Sequence, residues 1–264
     1  PPPNSEPLQV ASECGDPNFV SAADRNAETL STLPIEMFGR AEIGWEIYAP
    51  LMAVEVRSRC GPATPGFAAA LAAWQTAKDM PADGVVSPAV LLAMKIDWQD
   101  RRPVASGGNR GVCPEPPAES SLETARPEEG YGGKSVQLRP GALAAYRAMA
   151  AAARRESPEI AADPRNLTIF SAFRSPAYDA ARCARDQNCD GVVRATCSPH
   201  RTGLVMDLYV GEAPGFGPDS TADANRLAQT RSPTYRWLVA NARRFGFVNY
   251  PFEPWHWEWT GEPL

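Results

Sequence analysis

The sequence is poor in three features that would each point to a class of function. It has only two histidines, His200 and His256, so a histidine-based site has few possible positions. It has no apolar run near the roughly 18 residues that cross a bilayer, so no membrane span is predicted. It also lacks a basic excess, since 26 Lys and Arg face 31 Asp and Glu. Nucleic acid is therefore excluded as the main partner, because phosphate binding requires a surplus of positive charge.

The chain also lacks an initiator methionine and begins Pro-Pro-Pro. This start is typical of a mature or trimmed product, from which an export signal or lipid anchor would already be gone. The widely spread cysteines indicate disulfides in an exported protein. A metal site is the alternative, because Cys197 and His200 form a C-x-x-H pair, but no tight C-x-x-C pair accompanies it. The last three cysteines are an odd number, so one of them is expected to pair outside the group, with Cys113, or to stay free. The six are Cys14, Cys60, Cys113, Cys183, Cys189 and Cys197.

Composition and periodicity divide the chain into four segments. A polar, proline-bearing extension without sustained periodicity comes first, and a region of three helical stretches follows it. A stretch rich in Gly, Pro, Ser and Glu then predicts a linker. The last segment mixes helices and strands without a regular βαβ order, which favours the α+β class. The predicted segments are 1–33, 34–105, 106–134 and 135–264.

Several helices of this scheme are marked by their first residues. Thr64-Pro65 and Ser87-Pro88 each combine a capping side chain with proline at the first helical position. The stretch "EIGWEIYAPLMAVEVRSRC" has apolar residues at helical spacing, although Pro50 must start, kink or divide it. These stretches predict a three-helix bundle ahead of the α+β domain.

The stretch "SPHRTGLVMDLYV" places His200 seven residues before Asp207. On one straight strand this odd offset would turn the two side chains to opposite faces. Pro199 and Gly203 instead favour a turn at His200, followed by a strand that carries Asp207. A carboxylate within an apolar strand is costly unless it is paired with an arginine or bound to a metal, and the stretch alone leaves both possibilities open.

The stretch "EPWHWEW" ends in alternating residues typical of a strand. In such a strand the tryptophans share the core face, while His256 and Glu258 share the other face. Glu253 stands three residues before His256, at the bend that Pro254 introduces. A carboxylate can therefore lie beside a metal ligand without binding the metal.

Together these stretches supply the ligand set His200, Asp207 and His256. Three protein ligands with an open fourth position are typical of catalytic zinc. Glu253 could then take and deliver the proton of an activated water. Arg174, after the predicted strand end in "SAFRS", could stabilise an oxyanion or hold a substrate carboxylate, although a surface or helix-capping arginine fits its spacing as well.

"SAFRS", "SPHRTGLVMDL" and "EPWHWEW" resemble the signature segments of the zinc D-alanyl-D-alanine peptidases of the VanY and VanX type. Ser198, His200, Gly203 and Asp207 fit the family pattern S-x-H-x-x-G-x-x-x-D, and E-P-W-H ends at His256. The resemblance implies a small antiparallel-sheet α+β domain, shared with lysostaphin-type peptidases and the Hedgehog signalling domain. It implies that His200, Asp207 and His256 bind zinc. It also implies that Glu253 is the catalytic base, that Arg174 stabilises the tetrahedral intermediate and that Ser198 positions substrate.

One position departs from the family pattern. Members often carry Gln five residues after the arginine, where this chain has Asp179. A carboxylate at this substrate-binding position would repel a substrate's terminal carboxylate. The family therefore implies a D,D-carboxypeptidase, whereas Asp179 keeps open an endopeptidase that cuts cross-links. A non-catalytic zinc-containing wall-binding protein, as some relatives of this fold are, is a further alternative, and the presence of Glu253 argues against it.

The helical region resembles the peptidoglycan-binding domain 1 module over about residues 64–95. Asp83, Gly84, Ser87 and Pro88 fall on its D-G-x-x-S-P turn. Such a module beside a zinc peptidase implies tethering to peptidoglycan, which raises the effective substrate concentration. The two resemblances together predict an exported protein of the bacterial periplasm or cell envelope.

Overall fold

The computed structural model describes residues 14–103, 113–187 and 198–261. The chain forms two compact units, Pro1–Ile96 and Asp97–Leu264. Among the described helices, none combines the length and the apolar character needed to cross a bilayer. The α+β class predicted from the sequence is confirmed, since helices pack with small antiparallel sheets.

The first unit contains helices and one antiparallel hairpin. Helix α1 lies in the segment for which the sequence shows no periodicity, and the hairpin was not predicted. The stretch predicted to be helical around Pro50 is in fact divided: its start forms the second hairpin strand, and Pro50 begins the short helix α2 instead of kinking a longer one. The described elements are α1 (Val20–Thr29), β1 (Pro34–Met37), β2 (Arg40–Ile43), α2 (Ala49–Glu55), α3 (Pro65–Ala77) and α4 (Pro88–Asp100), whose last turn passes into the second unit.

The D-G turn between α3 and α4 is held by side chains from both directions along the chain. Gly84 adopts φ +69°, and a Cβ there would lie 2.5 Å from the Ala68 carbonyl oxygen, so the position requires glycine. Gln75 accepts from the Gly84 N–H at 2.8 Å, and Asn26 in α1 binds the Gly84 carbonyl at 2.9 Å. Helix α1 therefore fastens a turn that lies some sixty residues further along the chain.

The second unit surrounds a four-stranded antiparallel sheet of order β5-β6-β8-β7. Helix α5 (Pro140–Glu156) and helix α9 (Pro233–Asn241) each begin at a proline, and a 3-10 helix (Ala242–Phe245) continues from α9 to Gly246. The described elements are β3 (Glu123–Thr124), β4 (Gln137–Leu138), α5 (Pro140–Glu156), α6 (Pro158–Ala162), β5 (Ile169–Ser171), α7 (Pro176–Asp186), β6 (Val205–Leu208), α8 (Asp223–Arg231), α9 (Pro233–Asn241), β7 (Phe247–Asn249) and β8 (His256–Trp259).

The strand register sets three polar residues in a row across this sheet. Ser171 in β5 lies opposite Asp207 in β6, and Asp207 lies opposite His256 in β8. Directly opposed residues in an antiparallel pair have their Cβ atoms about 5 Å apart, so their side chains meet. On the other face Trp257 is buried against Tyr235, with ring centroids 6.4 Å apart. The sheet thus separates an aromatic core from a polar row.

Part of the segment predicted to be a linker is tied to α5 by buried charge. The Glu129 carboxylate accepts from Arg126 at 2.7 Å and from Arg147 of α5 at 2.8 Å, and its side chain is only 7% exposed. Burial opposes ionisation of this group, but the hydrogen bonds of Arg147 and Arg126 lower the pKa of Glu129 to about 2. Residues 123–129 are therefore held against α5 by ion pairs.

Glu129→Gln is expected to lower stability at neutral pH and to reduce the acid sensitivity of the protein. The folded pKa is below the unfolded value of 4.5, so the stabilisation is present above pH 4.5 and is lost as pH falls toward 2. At full ionisation it is worth on the order of 2 to 3 kcal/mol. Urea unfolding of both proteins at pH 7 and pH 3 measures it. An equal difference in unfolding free energy at the two pH values would contradict this prediction.

The predicted disulfides are present wherever the cysteines are described. Cys14 is bonded to Cys60, which closes a loop of 46 residues in the first unit. A loop of this size contributes about 4 kcal/mol in the chain-entropy account. Cys113 and Cys183 are disulfide-bonded as well, and no described cysteine is free. Cys189 and Cys197 lie outside the described residues, and so does the alternative C-x-x-H pair of Cys197 and His200.

Candidate metal centre

His200, Asp207 and His256 form one buried cluster. Asp207 and His256 are neighbours on adjacent strands, and His200 comes from the 3-10 helix Pro199–Thr202 just before β6. One ligand atom from each residue lies within 4.8 Å of the other two. The turn at His200 and the strand that follows it were predicted from Pro199 and Gly203. Because of this turn, the side chains of His200 and Asp207 reach the same point although they are seven residues apart.

The turn that carries His200 is shaped by its two ends. Ser198 caps its start by accepting from the His200 N–H at 3.3 Å, and Gly203 ends it at φ +68°. The Nδ1 of His200 lies 2.7 Å from the Ala172 carbonyl oxygen. A carbonyl only accepts, so Nδ1 carries the hydrogen. Nε2 therefore keeps the lone pair, and it lies 3.3 Å from Oδ2 of Asp207 inside the cluster.

His256 faces the cluster with its other nitrogen. Its Nδ1 lies 3.0 Å from Oδ1 of Asp207, and its Nε2 lies 3.0 Å from Oε1 of Glu258. Burial opposes a charge on this ring, but the hydrogen bonds to Asp207 and Glu258 raise the pKa of His256 to about 9. The carboxylate behind Nε2 holds that hydrogen, so Nδ1 is the nitrogen available to a cation.

The donor set fits a divalent metal such as zinc. Two imidazole nitrogens and one carboxylate oxygen converge, and each imidazole donates its other N–H to an oxygen acceptor, as metal-binding histidines usually do. The cluster also favours positive charge. Burial by itself would raise the pKa of Asp207, yet His200 and His256 hold it far below its usual range. A bound cation would stabilise the ionised Asp207 carboxylate in the same way.

Glu253 stands at the edge of the cluster, in the turn between β7 and β8. Its Oε2 lies 3.6 Å from Nδ1 of His256. Asn249 fixes this turn by donating to the Glu253 and His256 carbonyls at 3.2 and 2.9 Å. Burial and the negative charge of Asp207 raise the pKa of Glu253 to about 7. A carboxyl group with such a pKa can exchange protons near neutral pH.

Arg174 joins the remaining predicted residues to the cluster. Its Nε donates to Asp179 Oδ1 at 2.9 Å, Nη1 to Ser171 Oγ at 2.7 Å and Nη2 to Ser198 Oγ at 3.0 Å. Nη1 also lies 4.0 Å from Oδ2 of Asp207. Asp179 itself is buried in the first turn of α7, and its Oδ2 accepts no hydrogen bond among the described residues. The structure thus brings all seven predicted site residues together.

Sequence reasoning missed the residues that support this constellation. The Ala172 carbonyl orients His200, and Asn249 holds the turn of Glu253. Arg102 binds Glu258, the carboxylate behind His256. The only available signal was the alternation in "WHWEW", which sets Glu258 on the same face as His256. Nothing in the sequence indicates a partner 156 residues away.

A comparison with sequence models of protein families matches residues 135–262 to VanY, D-alanyl-D-alanine carboxypeptidase. Residues 135–262 thus form a VanY-type domain. This domain contains the cluster of His200, Asp207 and His256. The resemblance noted in the three signature stretches is thereby confirmed at the level of the family. Comparison with curated protein sequences gives no match.

Two solved structures are similar to parts of the chain. The LdcB LD-carboxypeptidase, a structure concerned with peptidoglycan recognition, is 24% identical, with a TM-score of 0.37 over 47% of this chain and 60% of that one. A mutant of the vancomycin-resistance D,D-pentapeptidase VanY from the VanB-type cassette, in complex with Zn(II), is 19% identical, with a TM-score of 0.32 over 56% of this chain and 83% of that one. The chain thus spans less than two thirds of the LdcB structure.

Proposed function

We propose that the protein is a zinc-dependent peptidase that hydrolyses peptidoglycan stem peptides next to a D-amino acid, with D,D-carboxypeptidase as its main activity. The observation that carries this proposal is the buried cluster of His200, Asp207 and His256, with Glu253 at its edge, inside a VanY domain. His200 Nε2, an Asp207 oxygen and His256 Nδ1 would hold the metal. Bound zinc supplies Lewis acidity, which makes a water nucleophilic near neutral pH and polarises a carbonyl.

Three residues around the cluster have separate roles in the proposed reaction: proton transfer, stabilisation of negative charge and positioning of the substrate. Glu253 takes a proton from the attacking water while the water oxygen bonds to the scissile carbonyl carbon. Negative charge then develops on the carbonyl oxygen, and Arg174 stabilises it from the Ser171 and Asp207 side. When the C–N bond breaks, Glu253 delivers its proton to the leaving amine. Ser198, bonded to Arg174, positions the substrate.

An endopeptidase is the second candidate, because Asp179 already neutralises Arg174. The two side chains form a 2.9 Å ion pair, and Asp179 is 4% exposed. An arginine paired in this way attracts a free terminal carboxylate less strongly than an unpaired one. A cross-linked substrate that continues beyond the cleaved bond does not depend on such a carboxylate clamp.

The product masses of defined muropeptides separate these activities. The purified protein is incubated with pentapeptide-bearing monomers and with cross-linked dimers, each with and without a chelator. Loss of a single alanine that the chelator abolishes supports the carboxypeptidase. Conversion of dimers to monomers supports the endopeptidase instead. Absence of both products from a protein that binds zinc would overturn the catalytic proposal and leave a wall-binding protein.

Asp179→Gln is expected to shift the preference toward substrates with a free terminal carboxylate. The substitution removes the charge that pairs with Arg174, and a charge-assisted hydrogen bond to substrate is worth roughly 1.5 to 3 kcal/mol. We therefore expect KM for pentapeptide to fall by about 10-fold, with kcat changed less. Steady-state kinetics on monomers and dimers measure the shift. An unchanged ratio between the two substrates would contradict this role of Asp179.

The first unit and the disulfides suggest where this activity takes place. We propose that the helical unit tethers the peptidase to peptidoglycan, in line with its resemblance to peptidoglycan-binding domain 1. We also propose that the protein is exported to the bacterial periplasm or envelope, since disulfides such as Cys14–Cys60 persist in oxidising compartments. Retention of the protein on purified sacculi measures the tethering, and thiol counting on the native protein measures the oxidation state.

A further inference from the structure

Glu258 is a buried carboxylate that the proposed reaction does not use. It lies on β8 two residues after His256, and its side chain is fully inaccessible to solvent. A buried charge of this kind requires a partner. Arg102 provides it, because its Nε and Nη2 both donate to Oε1 of Glu258, at 3.0 and 2.5 Å. The same Oε1 accepts from His256, whereas Oε2 accepts no hydrogen bond among the described residues.

Arg102 is itself held on two further sides. Its Nη1 donates to Gln99 Oε1 at 2.8 Å, so the last turn of α4 orients the guanidinium. The guanidinium carbon lies 4.1 Å from the ring centroid of Tyr250, in a cation–π contact. The Tyr250 ring packs edge-on against His256, with centroids 5.8 Å apart. Arg102 therefore reaches His256 by two routes, through the Glu258 carboxylate and through the Tyr250 ring.

We propose that Arg102 is a positioning residue for the metal centre, an inference that rests on the proposed role of His256 as a metal ligand. Arg102 fixes the Glu258 carboxylate so that Oε1 accepts the Nε2–H of His256. This contact orients the imidazole ring with Nδ1 toward Asp207. Because Arg102 precedes residue 135, the segment ahead of the VanY domain completes the centre.

The geometry explains why an arginine is needed at this position. A guanidinium is planar and presents several donors at fixed angles, so two of them can converge on one oxygen while a third binds Gln99. Lysine has one ammonium on a flexible stem and cannot hold Glu258, Gln99 and the Tyr250 face together. A carboxylate without this clamp is free to rotate, and its hydrogen bond to His256 is then no longer fixed.

Zinc affinity of the full-length protein tests this proposal without reference to peptidase activity. Competition with a chromophoric chelator is measured for the parent, Arg102→Met and Arg102→Lys. Loss of the group that orients a metal-binding histidine typically lowers affinity by about 10- to 100-fold, and we expect this for Arg102→Met, with Arg102→Lys in between. The visible spectrum of the cobalt-substituted proteins should change in parallel, because it reports ligand geometry.

Three further variants separate positioning from general stability: Arg244→Met, Glu258→Gln, and Arg102→Met combined with Glu258→Gln. Arg244→Met removes an ion pair with Glu156 in the same unit, away from the cluster, and should leave zinc affinity unchanged. Arg102→Met combined with Glu258→Gln removes both charges of the buried pair, which keeps the test valid where Arg102→Met alone fails to fold. Its affinity should fall about as far as that of Glu258→Gln alone, because Arg102 orients His256 mainly through the hydrogen bond from His256 to Glu258.

Four results would overturn the proposal. The first is parental affinity and an unchanged cobalt spectrum in Arg102→Met. The second is an equal loss of affinity in Arg244→Met, which would reduce the effect to general destabilisation. The third is a fully additive loss in the double variant. The fourth is a parent that binds no zinc, which would remove the proposed function as well, whereas the first three leave it intact.

Discussion

His256→Ala is expected to abolish zinc binding and peptidase activity together. In the proposed site the imidazole supplies one of three ligands through Nδ1, and its Nε2–H donates to the buried carboxylate of Glu258. Zinc affinity should therefore fall by more than the roughly 100-fold that loss of a supporting residue causes. Metal content after dialysis and the release of alanine from pentapeptide measure the two losses.

A folded control is needed because the substitution removes one contact from each of two buried carboxylates, Asp207 and Glu258. His256→Gln keeps a hydrogen-bonding side chain at this position, and circular dichroism shows whether each variant is folded. A catalytic metal should leave the metal-depleted parent folded as well, whereas a purely structural metal would unfold it on removal. Full zinc occupancy in folded His256→Gln would refute the ligand assignment.

Glu253→Gln is expected to keep zinc and to lose most of the turnover. Glutamine has the same shape but accepts no proton, and general-base catalysis contributes about 10²- to 10⁴-fold. We therefore expect kcat to fall by this factor with little change in KM. Zinc should stay bound, since Glu253 lies beside His256 at 3.6 Å and is not one of the three clustered ligands.

Glu156→Gln is the matched control, because it removes a carboxylate on the same domain that binds Arg244 away from the cluster. Its turnover should equal that of the parent. If the turnover of Glu253→Gln equals that of the parent, another group must act as the base. Glu258 is poorly suited to it, since its Oε1 is already occupied by Arg102 and His256.

The local features of the fold could be predicted where short-range chemistry decides them. Thr64 caps α3 and Pro65 begins it, and Pro140 begins α5, because capping and proline geometry act within one turn. The hairpin β1–β2 and the strand β7 could not be predicted from their sequences. They are short, and their pairing depends on partners that no local pattern specifies.

The candidate site follows the same division. The spacing within "SPHRTGLVMDLYV" and "EPWHWEW" determines which side chains can reach one point, because a turn and strand alternation fix their directions. From the sequence, Asp179 could be recognised only as a carboxylate where the family often has Gln, and its pairing with Arg174 could not be predicted. That it forms a buried ion pair depends on how α7 packs beside the loop of Ser198.

The sequence by itself determined the α+β class, the candidate ligands His200, Asp207 and His256, and the candidate base Glu253 beside them. These depend on residue identity and on distances of a few positions along the chain. The tertiary structure alone decided which nitrogen of each histidine faces the cluster, and that Arg102 stands behind Glu258. Both depend on contacts between segments that are distant in sequence, such as Ala172 with His200 and Arg102 with Glu258. Such contacts form only when the sheet and the segments around it are packed, since burial makes each charged or polar group require a specific partner.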